Sequence, residues 1–241
     1  VRAATDPGPS SRTTPSAALA VPAVVLVNPN SSTATTAMMT GIARRALGPA
    51  VRVRGVTATR GPRMLTDPAA LRAAAPEVVA AGRRALASGD CAALLVAAFG
   101  DPGVAELRAC VPVPVVGIGE AALLEASAGG TRFGIATTTP HLAGPIAGAV
   151  AALGLQDRFT GLRLTEGGPH ALSADPAALT EALAHAVRAC VVRDGARAVV
   201  IGGGPLGEAA EALRPHFTVP VIAPIRAACH RLTSLPQPEA R

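Results

Sequence analysis

The chain has no tryptophan, no tyrosine and no lysine, and only four phenylalanines among 241 residues. Without Trp or Tyr it has few flat rings on which bases could stack, which argues against a nucleic-acid surface of that kind. Without lysine, Schiff-base chemistry and the lysine-bearing phosphate loop are excluded. Cysteine is scarce too. Cys91, Cys110, Cys190 and Cys229 show neither CxxC nor Cys/His spacing, so no zinc site, no other metal and no disulfide framework is expected. Each sits among Ala, Val and Leu, the setting of a small buried hydrophobe. No apolar run reaches the roughly 18 residues needed to span a bilayer, so no membrane partner is expected.

What is present is a globular composition. Apolar residues make up 49 % of the chain, enough for a core of closely packed Ala, Val, Leu and Ile. The formal charge is +6 and all 22 basic residues are Arg, scattered as singles and pairs such as Arg44-Arg45 and Arg83-Arg84. That distribution fits solvated helix surfaces, so no nucleic acid is expected as partner. Residues 1–20 are rich in Ala, Ser, Thr and Pro and are expected to be a disordered leader without the compact apolar stretch of a secretory signal. A cytoplasmic location follows by default.

Two turns organise the rest. Ala97-Ala98-Phe99-Gly100-Asp101-Pro102-Gly103 has a distorted echo in Ile201-Gly202-Gly203-Gly204-Pro205-Leu206-Gly207, each after an apolar run opened by Asp90 or Asp194. Val113-Pro114-Val115-Val116 matches Val219-Pro220-Val221-Ile222, and the run ending in Asn28-Pro29-Asn30 matches the one ending in Thr137-Thr138-Thr139. Three matched segments in one order, at offsets of roughly 104 to 109 residues, predict a duplicated α/β unit.

Strand-like runs at 24–27, 52–58, 94–96 and 113–117, and again at 132–136, 159–164, 199–201 and 219–222, alternate with helical segments. The expectation is an α/β fold of two similar Rossmann-like or flavodoxin-like lobes with parallel sheets, related by a pseudo-twofold, with the active site between them. The lobes are placed at 21–130 and 131–232, the C-terminal segment being a candidate to cross back onto the first lobe, and 233–241 is a tail. Helices are expected to start at Asp67-Pro68 and about Glu120, and a Gly/Pro loop runs over 166–170.

Ligands of parallel sheets sit beyond the carboxyl ends of the strands. Those ends are 28–32, 98–101, 137–141 and 202–205, rich in Gly and short hydroxyls and supplied with free N–H groups at helix starts. That combination binds anions or carbonyl oxygens. Helix capping is the competing reading, and it is preferred for Ser32, Thr33 and Asp101, the last as a cap for the helix after Pro102. Gly202-Gly203-Gly204 lacks the dinucleotide-binding spacing and no acidic residue follows about 20 positions on, so no cofactor is expected.

Asn-Pro-Asn-Ser-Ser after the first strand, Phe-Gly-Asp-Pro-Gly after the third, Thr-Thr-Thr in mid-chain and a Gly-rich turn near residue 203 together resemble the hydantoin and allantoin racemase branch of the Asp/Glu racemase superfamily, from Pro22 to about Leu232. The resemblance implies two α/β lobes with a thiol from each acting on opposite sides of one carbon, at the position before Phe99 and in the middle of the 202–204 turn. This chain has Ala98 and Gly203 there. Binding roles carried over by the resemblance fall on Asn30, Ser31, Ala98, Phe99, Gly100, Thr137, Thr138, Thr139, Gly203, Gly204 and Pro205. Gly203 in place of a side chain suggests room for a bulkier ligand.

Ala and Gly carry no proton, so the two-thiol mechanism is absent. His141 at a helix start is the first candidate for a proton carrier, with Asp101 the second. Glu166 and His170 belong to a loop able to close over the cleft, surface decoration being the preferred reading. Three readings follow: an enzyme of this superfamily acting on a small carboxylate, imide or cyclic amide through an enolate-like anion by isomerase or lyase chemistry; a hydantoin-type racemase with non-thiol bases; or a silent anion-binding protein. A small-molecule substrate and a homo-oligomer are expected.

Overall fold

The first strand, β1 (Ala23–Asn28), reads AVVLVN and is buried at every position. Such a run belongs to a strand with neighbours on both edges and cover on both faces. The computed structural model, which describes residues 22–235, places it so. After β1 come α1 (Thr33–Leu47), β2 (Arg52–Thr57), α2 (Pro68–Ala87), β3 (Cys91–Val96), α3 (Val104–Cys110), β4 (Val115–Gly117) and α4 (Ile118–Ala126). The second lobe has β5 (Phe133–Thr137), α5 (Ala143–Ala152), β6 (Phe159–Leu164), α6 (Pro169–Ala174), α7 (Pro176–Val192), β7 (Ala198–Ile201), α8 (Gly207–Leu213), β8 (Val221–Ile222) and α9 (Pro224–Ser234).

The strands form two parallel four-stranded sheets with the same order, β2-β1-β3-β4 and β6-β5-β7-β8. The duplication extends to side chains. Arg54 on edge strand β2 pairs with Asp90 before β3, and Arg163 on edge strand β6 pairs with Asp194 before β7. In each pair hydrogen bonding and charge hold the Asp carboxyl below its ordinary value, led by Ser88 for Asp90 and by Arg163 for Asp194.

Side chains on a strand alternate between faces, and here the two faces feed different cores. Val25 and Val27 point into a layer closed by Val78, Ala81 and Leu107 of α2 and α3. Val199 and Ile201 point into the equivalent layer under α7 and α8, with Leu183, Val187 and Leu213. The other faces meet in one continuous core: Val24 and Leu26 from β1 join Met39, Ile42, Ile118, Phe133, Ile135, Val200 and Ile225. Phe133 is fully buried, its ring 5.7 Å from that of Phe159 and tilted by 35°. The lobes therefore share their largest apolar layer. The last helix strengthens it, since α9 leaves the second sheet and packs on α1 and α4.

Several local expectations change. α4 starts at Ile118, two residues before Glu120. The segment expected as a loop over 166–170 turns helical at Pro169, a residue suited to the first helical position. The tail boundary after 232 falls inside α9, which runs through Ser234. Cys190 and Cys229 are buried, but Cys110, last in α3, is exposed, so the buried-hydrophobe expectation fails there. The leader at 1–20 lies outside the described residues.

The two lobes touch closely at Gly204, where a Cβ would lie 2.6 Å from the Ala97 carbonyl oxygen and 3.0 Å from the Met39 sulfur. A backbone oxygen cannot swing aside as a flexible side chain can. Gly204→Ala is expected to destabilise the protein by about 1–3 kcal/mol, read as a lower urea midpoint; an unchanged midpoint would mean that the lobes do not meet there.

Candidate functional site

The turn after β1 is held by its own side chains. Asn28, fully buried, donates through Nδ2 to Asn30 Oδ1 at 2.8 Å and Thr36 Oγ1 at 2.9 Å. The Asn30 amide returns a bond to Asn28 Oδ1 at 3.1 Å, and Ser32 N donates to Asn30 Oδ1 at 2.9 Å. Ser31 N donates to the Pro62 carbonyl at 3.0 Å. Ser32 caps α1, its Oγ accepting from Thr35 N at 3.3 Å, while Thr33 is the exposed first residue of that helix. The backbone donors at Asn30, Ser31 and Ser32 are thus engaged within the protein, and the open anion cradle expected from this turn is closed. What remains is the Asn30 Nδ2 group and the Ser31 hydroxyl, which make no side-chain hydrogen bond among the described residues.

The second lobe repeats the device with hydroxyls. Thr137 Oγ1 donates to the Gly202 carbonyl at 2.8 Å and accepts from Thr139 Oγ1 at 3.1 Å. Both lobes thereby carry a bond between residues two apart at the end of their first strand. All three threonines of 137–139 are buried. The amides of Thr138 and Thr139 meet no acceptor among the described residues.

The turns after β3 and β7 bring Ala98 and Gly203 beside the contact between Ala97 and Gly204. Ala98 and Phe99 are buried, 8 % and 6 % exposed, and Gly203 and Pro205 are half-buried. The 98–101 turn closes through Asp101 N donating to Ala98 O at 3.0 Å, and the other through Gly203 N donating to Ile201 O at 2.9 Å. The Phe99, Gly100 and Gly204 amides have no acceptor among the described residues. Preorganised N–H groups of this kind stabilise developing negative charge on oxygen.

Gly203 has an extended backbone, φ 172° and ψ 133°, which any residue adopts. A Cβ there would sit 3.0 Å from both Cγ and Cδ1 of Leu206. The room expected for a bulkier ligand is therefore already filled by Leu206, itself 8 % exposed.

Asp101 does not cap the helix after Pro102. α3 is preceded by Gly103 with no side-chain cap, and the Asp101 carboxylate instead accepts from Gly119 N at 2.9 Å and Glu120 N at 2.6 Å at the start of α4. Burial pushes its carboxyl up to about 6, against the pull of those two amides. His141 is exposed within the short helical turn Pro140–Leu142 and makes no hydrogen bond among the described residues. Glu166 and His170 are also exposed; Glu166 lines a separate cavity of about 370 Å³ with Arg163, Glu181, His185 and Arg193, between α7 and the end of β6. Cys190 and Cys229 lie in the core, where burial pushes each thiol up to about 12. Among the described residues no group of three His, Cys, Asp or Glu could hold a metal ion, and no helix is long and apolar enough to cross a membrane.

A strap over the first turn is visible only in three dimensions. Thr59 and Arg60 bond to Glu77, which is 9 % exposed in α2, while Pro62 takes the Ser31 amide. The available sequence signal was an acid on the face otherwise formed by Leu71, Ala74, Val78 and Ala81. Thr165, whose buried hydroxyl has no partner among the described residues, carried no such signal.

Two sheets of identical strand order joined by one core define a two-lobed, internally duplicated α/β protein. The comparisons narrow that class. The family model for Asp/Glu/Hydantoin racemase matches residues 24–232. A hydantoin racemase of Paenarthrobacter aurescens is 29 % identical over 212 residues, covering 88 % of this chain and 90 % of that protein. Among solved structures, allantoin racemase from Klebsiella pneumoniae superimposes with a TM-score of 0.84 at 28 % identity, covering 89 % of this chain and 87 % of that one. The allantoin racemase of Pseudomonas fluorescens gives 0.80 at 25 %, over 90 % and 94 %. The chain belongs to the Asp/Glu/hydantoin racemase family, within the isomerases.

The displaced carboxyl of Asp101 has a signed consequence. Its folded value lies above the ordinary one, so its proton is held more tightly in the folded state, and its contribution is fully present below about pH 4 and lost as pH rises through about 6. The stability of the parent minus that of Asp101→Asn should fall by about 3 kcal/mol across that window and stay level above it. Urea unfolding at a series of pH values checks this, and a flat difference would contradict it.

Proposed function

We propose that the chain activates the C–H bond next to a carbonyl in a small carboxylate, imide or cyclic amide, holding the enolate-like anion between the two lobes without a pair of thiols. The observation that carries the reading is the meeting of two strand-end turns at Ala97 and Gly204, with the unengaged Phe99, Gly100 and Gly204 amides beside it. Cyclic amides of the hydantoin type come first, because relatives in both comparisons bear that name or that of allantoin racemase. In this reading the amides and Asn30 Nδ2 receive carbonyl oxygens, Ser31, Thr138 and Thr139 orient the ring, and His141 exchanges the proton.

Leu206 occupies the space beside Gly203. A methyl-bearing side chain has no proton to transfer, which favours chemistry on one side of the carbon, a lyase step or an isomerisation without inversion at that carbon, over racemisation by two bases. Racemisation with non-thiol bases is the rival, supported by the names of the relatives.

Proton NMR in D2O with enantiopure 5-substituted hydantoins, allantoin, aspartate, glutamate and arylmalonates, against protein-free controls, separates these. Deuterium at the alpha carbon with configuration kept, or loss of a fragment, is expected; deuterium with loss of optical rotation would establish the rival. No exchange and no product on any compound, with ligand-induced thermal stabilisation, would leave a binding protein. His141→Ala should slow exchange roughly 10²–10⁴-fold, and an unchanged rate would remove His141 from the reaction. Ala98→Cys combined with Gly203→Cys should add loss of optical rotation, Leu206 yielding a few tenths of an ångström to the new Cβ; exchange that stays on one side would show that the cleft does not present the carbon to both positions.

A further inference from the structure

Asp101 is the one residue other than glycine with a positive φ among the described residues, at 49°. Left-handed backbone is uncommon outside glycine, and Asp is one of the residues that tolerate it when its short polar side chain finds local hydrogen bonds. Gly100 before it has φ 114° and Gly103 after it 76°, so the turn is irregular throughout. Here the carboxylate takes two bonds, from Gly119 N and Glu120 N. The path of the chain around that carboxylate admits no side chain: a Cβ on Gly117 would lie 2.3 Å from its Cγ, and one on Gly119 would lie 2.9 Å from Oδ2 and 3.1 Å from Gly100 N. Turn and helix start are interlocked.

Ile118, between those two glycines, is fully buried and reaches the other lobe. Its Cδ1 is 3.3 Å from where a Cβ on Gly204 would lie. The start of α4 is therefore held by Asp101 within its own lobe and lies close to Gly204 of the other. We infer that Asp101 is a positioning residue, whose carboxylate locks the 98–103 turn to α4 and, through Ile118, sets where the Phe99 and Gly100 amides stand relative to Gly204. That these amides serve a reaction rests on the function proposed above; the lock does not.

The lock has a charge state that can be followed. With its carboxyl near 6, Asp101 changes from carboxylic acid to carboxylate close to neutrality. The acid form turns one acceptor oxygen into a hydroxyl that no longer takes the second amide well. After burial and the two amides, Glu120 on α4 raises this carboxyl and Arg108 on α3 lowers it. Those two are paired with each other at 2.9 Å. The other charged groups on the packed helices are Glu106 on α3, Arg72, Glu77, Arg83 and Arg84 on α2, and Glu125 on α4, with Glu77 engaged with Arg60 and Glu125 with His230.

The test is amide NMR on the uniformly ¹⁵N-labelled chain from about pH 5 to about pH 8, with the Asp101 carboxyl ¹³C shift followed in parallel. The Gly119, Glu120, Phe99, Gly100 and Gly204 amides should move with one midpoint, near 6 and equal to that of the Asp101 carbon. Asp101→Asn should abolish the shared movement, and if that variant does not fold, the carbon titration of the parent still decides. Movement confined to Gly119 and Glu120 would overturn the lock as a link between the lobes. A midpoint differing from that of the Asp101 carbon, or movement surviving in Asp101→Asn, would overturn Asp101 as its source. Neither result needs a substrate. A shared titration without exchange on any compound would sustain the lock and retire the proposed function. Exchange without a shared titration would retire the lock alone.

Discussion

The close approach of Gly204 to the Ala97 carbonyl is the constraint on which the rest depends. It exists because the inner faces of both sheets drain into a single apolar core, and because α9 returns to the first lobe to close it. Two lobes with separate cores would move against each other as domains commonly do. Here α4 is pinned between Asp101 and Gly204, and the turns after β3 and β7 are fixed relative to each other by backbone packing.

The consequence is a meeting point defined more by backbone than by side chains. At 98 and 203, where the family resemblance places thiols, this chain has a methyl group and a hydrogen, and Leu206 closes over one of them. Hydrogen bonding at the end of the first strand occurs in both lobes, as amide–amide bonding between Asn28 and Asn30 and hydroxyl bonding between Thr137 and Thr139. Binding geometry and proton transfer are separable properties of such a site. An array of N–H groups stabilises charge whether or not a thiol stands beside it.

The lobes, their parallel sheets and the order of their elements were legible because buried parallel strands are continuous apolar runs and because the 97–103 turn has an echo at 201–207. The four strand-end turns were legible as Gly, Asn and Thr clusters for the same reason. Partners across space were not. That Asp101 reaches to Gly119 and Glu120, 18 and 19 residues on, is decided by the left-handed backbone at Asp101 and by the missing Cβ of Gly117 and Gly119, which no local pattern announces. Leu206 filling the space at Gly203, the Ser31 amide taken by Pro62 and the burial of Glu77 under Thr59 and Arg60 are likewise products of tertiary packing.

The proposed function requires one ligand at the meeting point of the lobes, and a crystal structure of the full chain with a 5-substituted hydantoin tests that most directly. The ligand's carbonyl oxygens are predicted within hydrogen-bond distance of the Phe99, Gly100 or Gly204 amides, with its ring beside Ala98. A ligand seated instead in the cavity between α7 and β6, against Arg163, Glu181 and His185, would contradict the account.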